Sequence, residues 1–226
     1  MMATTGGQSP LRSVFPMLGL ALHTSSPALG LALSDFEQPP RAQVWNFGRD
    51  LSAHLHPTLM DFIQPYTWAD LSFLAVARGP GGFTGTRIGV VTARTLAQQL
   101  QIPLFGVSSL AALAQWVVDQ TPDLDLATAP ALAIDLKAQR EMRFTAIYQP
   151  TPTGLHTLQA EQVVSAAAWE KALAEFPQPI QSVTATDDLA KTTPQVLALA
   201  HHDWLAGHRP HWAEVVPYYG QHPVDI

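Results

Sequence analysis

Cysteine is absent from this chain of 226 residues. That excludes disulfides, thiolate nucleophiles and zinc–thiolate sites, and it suits a reducing compartment. Charge is scarce as well. Asp, Glu, Lys and Arg make up 13% of the residues, the formal net charge is −6, and the only lysines are Lys137, Lys171 and Lys191. Nothing resembles a basic footprint for phosphates, which argues against autonomous binding of RNA or DNA. No apolar run approaches the roughly 18 residues of a membrane span. Met1 to Phe15 lacks the apolar segment of a signal peptide, so residues 1–16 are expected to be a disordered leader, and the cytoplasm is the expected location. Apolar residues reach 47%. So high an apolar share with so little charge predicts a compact fold, part of whose surface is covered by something else.

The apolar runs Met17–His23 and Ala28–Leu33 flank the turn Thr24-Ser25-Ser26-Pro27 and predict an opening hairpin. Ala42–Phe47 is a candidate third strand. Apolar spacing over Leu51–Gln64 predicts a helix. Pro57 is tolerable only near the first turn, so the helix is expected to start between Ser52 and His56. Leu71–Ala77 reads as a buried strand, Arg87–Leu100 as a helix, Pro103–Val107 as a strand, and Ser108 to about Val118 as a helix. Three meandering strands followed by alternation imply a mixed sheet with helices on its faces. Thr121–Pro130 reads as a boundary. Beyond it, strands are expected at Ala131–Asp135, Met142–Tyr148 and Ile180–Thr184, with helices at Ser165–Ala174 and Pro194–Ala206. An aromatic tail (Trp212, Tyr218, Tyr219) is expected to dock back on the body.

Between the buried strand and its helix lies Arg78-Gly79-Pro80-Gly81-Gly82-Phe83-Thr84-Gly85-Thr86-Arg87-Ile88-Gly89. Glycine permits close approach to an anion or to another backbone. A P-loop needs Lys-Ser/Thr after its last glycine, whereas Gly85 is followed by Thr86-Arg87. In a G-x-G-x-x-G fingerprint the third glycine would fall on Thr84. Both standard nucleotide motifs fail on spacing. Arg87 remains available to an anion, and tight packing that shapes an interface is the other reading. Within the helix, Gly89, Ala93 and Ala97 form a stripe of small residues. It fits either a core contact or a close helix–helix seam with a partner.

Other chemistry is thin. His54 and His56 point apart on a helix, and His201, His202, His208 and His211 show no metal-ligand spacing. There is no G-x-S-x-G. The one concentrated charge cluster (Asp135, Lys137, Arg140, Glu141, Arg143) reads as either a site mouth or a solvated hairpin turn.

The stretch from Arg78 to Gly89 resembles the G-P-G-S-F-T-G-x-R-I-G signature of the TsaB (YeaZ) family. Leu18-Gly19-Leu20-Ala21-Leu22-His23-Thr24-Ser25 resembles that family's first strand, and Asp135-Leu136-Lys137-Ala138-Gln139-Arg140-Glu141 its Asp-Ala-Arg-x-x-Glu hairpin. The resemblance is firm over residues 17–118 and fades after residue 150. It implies an α/β, actin- and sugar-kinase-like (ASKHA) fold of two related lobes, 17–120 and a smaller 121–226. It also implies a non-catalytic scaffold subunit that pairs with the catalytic paralogue TsaD, is joined by the ATPase TsaE, and meets tRNA only through the complex. Self-association to a homodimer is a further implied state. The complex transfers threonylcarbamoyl to N6 of the adenosine beside the anticodon in tRNAs reading ANN codons.

By that resemblance the partner interface is expected on the first two helices, at Leu55, Leu59, Gly89, Ala93 and Ala97. A nucleotide, ATP or ADP, shared at a subunit junction would use Arg78, Gly79, Gly81, Gly82, Thr84 and Arg87. The alternative is an ATP-binding phosphotransferase or ATPase of the same superfamily. Four departures bear on these expectations. His23 stands where the family usually has Asp, and imidazole is a poor ligand for hard cations. Gly82 replaces a Ser, Leu51-Ser52 a His-Ser pair, and Pro217-Tyr218-Tyr219-Gly220 the family's Pro-x-Tyr-Leu-Arg.

Overall fold

The computed structural model describes residues 17–220; the expected leader lies outside them. The hairpin β1 (Gly19–His23) and β2 (Leu29–Ser34) opens the chain, and β3 (Arg41–Trp45) pairs antiparallel to β2. β4 (Phe73–Ala77) runs parallel to β1, and β5 (Leu104–Val107) parallel to β4. The resulting five-stranded sheet has the order β3-β2-β1-β4-β5. A second, four-stranded sheet has the order β8-β7-β6-β9. It is made of β6 (Ala131–Lys137), β7 (Met142–Thr151), β8 (Gly154–Ser165) and β9 (Ile180–Thr184).

Five helices complete the fold: α1 (Leu51–Ile63), α2 (Phe83–Leu100), α3 (Ser109–Asp119), α4 (Ala166–Ala174) and α5 (Thr193–Leu205). α1 and α2 cover one face of the first sheet, burying Leu55, Leu59, Phe62, Val90, Ala93 and Ala97 against Leu20, Leu22, Leu31 and Leu74. α5 covers the opposite face through Val196, Leu197 and Ala200. α3 turns Leu110, Leu113 and Ala114 onto the second sheet. α3 and α5 pack on each other between the sheets, and α4 lies on the far face of the second sheet through Trp169. The two sheets fall on either side of residue 120, and two helices cross between them. α3, from the first unit, covers the second sheet, and α5, from the second unit, returns to the first.

Three local expectations also change. α1 starts at Leu51, behind a 3-10 turn at Gly48–Asp50, so Pro57 sits in its interior. Burial of Leu51, Leu55, Leu59, Phe62 and Ile63 offsets the backbone bond that proline cannot make. α2 begins at Phe83 rather than Arg87, with Gly82 as its N-cap. β8, a 12-residue edge strand, was not expected, because half-exposure and register shifts opposite Thr145–Tyr148 blur its alternation.

Candidate functional site

The glycine-rich loop is packed against the turn that follows β1. Gly82 N donates to Ser25 O at 2.7 Å, and Thr24 Oγ1 donates to Gly85 O at 2.8 Å. A Cβ on Gly81 or Gly85 would fall inside the envelope of the Ser25 and Thr24 carbonyl oxygens, and one on Gly89 would overlap the Thr24 hydroxyl. Gly79 takes φ +99°, a left-handed conformation suited to glycine, and its carbonyl accepts from Ser109 N at 2.8 Å. These glycines admit the chain's own backbone.

Of the six residues expected to meet a nucleotide, both arginines have partners within the chain. The Arg78 guanidinium pairs with Glu161 on β8 at 2.9 Å and lies 5.6 Å from the Tyr218 ring centroid. Arg87 turns outward. Its guanidinium stands 3.9 Å over the Phe83 ring, and its Nε donates to the Tyr219 hydroxyl at 2.7 Å. Thr84 is exposed in the first turn of α2, while Gly79 and Gly81 are committed to packing.

His23, at the end of β1, is fully buried. Its Nδ1 accepts from Ser25 N at 3.3 Å, which places the ring proton on Nε2, and Nε2 has no hydrogen-bond partner among the described residues. Desolvation lowers its pKa to about 3, so the ring is neutral throughout the physiological range. The segment Leu189–Thr192 closes over this end of the sheet. Ala190 N donates to Ser26 Oγ at 3.2 Å, and a Cβ on Gly30, opposite His23, would run into Ala190 and Thr193. The family's acidic position thus holds a neutral, enclosed ring.

The five residues expected at a partner interface are buried within this chain. Leu55, Leu59, Gly89, Ala93 and Ala97 all face the core of the chain itself. The small residues bring α2 close to the sheet and to Thr24. Solvent meets the opposite faces. On α1 that face carries His56, Pro57 and Met60, with Met60 61% exposed. On α2 it carries Phe83, Arg87, Val91, Arg94 and Gln98, which helical geometry places in one stripe, with Val91 59% exposed.

The charge cluster of the second sheet resolves into a turn with one buried member. The Asp135 carboxylate is enclosed, paired with Arg143 and accepting from the Thr184 hydroxyl at 2.9 Å. Arg140 and Glu141 occupy the exposed turn with positive φ. Among the described residues, no group of three or more His, Asp or Glu side chains is placed to hold a metal ion. An open cavity of about 610 Å³ borders β5 and the tail, lined in part by Arg78, Gly106, Arg209 and Val215.

Sequence reasoning missed the partners of both loop arginines. The signal for Tyr218 and Tyr219 was the aromatic tail. Glu161 had none, because its strand was not expected.

Two mixed sheets with helices outside and between them define an α/β protein of the ASKHA class. YeaZ from Pseudomonas aeruginosa superposes with a TM-score of 0.71 at 25% identity, covering 89% of this chain and 100% of that one. A family model described as "TsaD: tRNA N6-adenosine threonylcarbamoyltransferase" matches residues 49–204. The tRNA threonylcarbamoyladenosine biosynthesis protein TsaB of Bacillus subtilis is 32% identical over 163 residues, 71% of this chain and 68% of that protein. The Escherichia coli protein of the same name is 32% identical over 108 residues, 42% of each chain. The chain belongs to the TsaB (YeaZ) family.

Proposed function

We propose that this chain is a non-catalytic subunit of the machinery that makes threonylcarbamoyladenosine in tRNA. It pairs with and activates the catalytic TsaD-type paralogue, and a TsaE-type ATPase joins the pair. The reaction it serves places threonylcarbamoyl on N6 of the adenosine beside the anticodon of tRNAs reading ANN codons. The names of the Bacillus subtilis and Escherichia coli relatives supply the pathway.

One observation carries the subunit role. On α2, Val91 stands in solvent in one stripe with Arg87 and Arg94 and with no carboxylate, and on α1 Met60 is exposed next to the exposed Asp61. The α2 stripe is thus an apolar, weakly cationic surface on a chain with a net charge of −6. The same face offers a route to a homodimer in the free state. The acidic balance supports the reading that the tRNA contacts are made by the partners. Among the described residues, no helix is long and apolar enough to cross a membrane. The reading places the protein in the cytoplasm with its tRNA.

A pull-down with the cognate TsaD, paired with reconstituted tRNA modification, tests the assignment. Val91→Arg and Met60→Asp are expected to abolish capture and modification while leaving the fold intact. Failure of the wild type to bind, or equal binding by both variants, overturns it.

The rival, an ATPase or phosphotransferase, requires an ionic cation ligand near the end of β1. The neutral, enclosed His23 disfavours it. Any ATP or ADP would then belong to the junction between subunits. Micromolar binding of Mg-ATP by the isolated chain, with turnover, would reverse this preference.

A further inference from the structure

The N-terminal end of the α2 stripe already has an occupant. The chain returns from α5 along the edge of the first sheet, where Leu104 N donates to Pro210 O at 3.3 Å. It then crosses the glycine loop, where Tyr218 N donates to Arg78 O at 2.7 Å. Gly220 is seated so closely on Phe144 and Val163 of the second sheet that no larger side chain fits without displacement. Between these anchors, Tyr219 is laid on α2. Its ring centroid is 5.0 Å from that of Phe83, its hydroxyl accepts from Arg87 Nε, and the Arg87 guanidinium is 5.0 Å from its ring. Phe83 remains 46% exposed beneath it, so the contact is superficial and screened by water.

We propose that Tyr219 is a displaceable cap on the docking face of α2, an autoinhibitory contact that the partner must remove. This rests on the pairing proposed above. The cap holds the two side chains of the stripe best suited to anchor a partner: an aromatic ring, and an arginine whose donors are partly spent on the tail. Val91, two turns along α2 from Phe83, stays exposed, so a partner can engage that end of the stripe first and then compete for Phe83 and Arg87. Anchors at Arg78 and Gly220 keep the tail attached while Tyr219 swings away. Free chains are thereby held partly in a non-binding form, and the apparent affinity is reduced by the fraction that is open.

Calorimetric titration of the full-length chain with the cognate TsaD tests this. Tyr219→Ala is expected to bind about three- to tenfold more tightly than wild type, the gain set by the closed fraction it releases. Tyr219→Phe, which loses only the hydroxyl bond, should gain less. Circular dichroism confirms that both variants are folded. Equal or weaker binding by Tyr219→Ala, with Val91→Arg still abolishing the complex, overturns the cap and leaves the pairing standing. No binding by any form overturns both.

Discussion

His23 couples the stability of this fold to pH. Its folded pKa lies near 3, against an ordinary histidine value of 6.5. Above pH 6.5 the ring is neutral both folded and unfolded, and it imposes no pH-dependent penalty. Below that, the unfolded chain takes up a proton that the folded chain refuses, so stability falls as pH drops and levels off once pH passes the folded pKa. The expected loss from this residue is about 2 kcal/mol between pH 7 and pH 5. Urea unfolding at the two values measures it, and His23→Leu should remove that part of the slope. His201, whose pKa is also lowered by desolvation, contributes in the same direction, so the difference between wild type and variant isolates His23. An unchanged slope in the variant would refute the enclosed, neutral ring. The glycines beside it make a steric prediction at the same scale. Gly85→Ala pushes a Cβ into the Thr24 carbonyl, which the backbone cannot avoid without shifting. A cost of about 1–3 kcal/mol is expected, read as a lowered denaturation midpoint.

Within α2, opposite faces separate what holds the fold from what is proposed to meet a partner. Ala93 has no exposed surface, whereas Val91, two positions earlier, is 59% exposed. Arginine at 93 is expected to unfold the chain or lower its melting temperature sharply, because a charge and a long side chain enter a filled core. Arginine at 91 should leave the melting temperature within a few degrees of wild type and act only on partner binding. Thermal melts of the two variants distinguish these outcomes. If Val91→Arg melts as low as Ala93→Arg, the outer face is not free. The same helix shows how far a sequence alone reaches. A stripe of small residues states that something approaches closely; it does not state whether that is the protein's own sheet or another chain. Gly85 and Gly89 were legible as close-approach positions, but their neighbour, the Thr24–Ser25 turn, lies about 60 residues earlier, and only tertiary structure brings it there. The strand–loop–helix order of the first sheet was readable because buried parallel strands are continuous apolar runs. β8 was not, because an edge strand with polar residues and register shifts carries neither a run nor a clean alternation. Glu161, and with it the destination of Arg78, was hidden for the same reason.

Among the contacts that join the sheets, an ion pair and a helix contact can be compared by magnitude. The Arg78–Glu161 pair spans them at 2.9 Å, but both side chains keep some exposure, 28% and 13%. A pair so placed is worth about 1 kcal/mol at most, and salt weakens it. α3, by contrast, presents Leu110, Leu113 and Ala114 to Leu132, Ile134, Leu136, Ala146 and Tyr148 of the second sheet. On its other side it packs against α5, which covers the first sheet. Because each helix covers the sheet from the other half of the chain, neither sheet can lose its partner without exposing a core. The molecule is therefore expected to unfold as one unit, with far-ultraviolet circular dichroism and tryptophan fluorescence giving coincident transitions. Leu110→Ala should cost about 2–5 kcal/mol and shift both signals together. Glu161→Gln should cost less than about 1 kcal/mol, with most of that loss gone in high salt. A single transition in wild type that stays single and loses little in the Leu110 variant, together with a large salt-insensitive loss in the Glu161 variant, would show instead that the ion pair rather than α3 holds the sheets together.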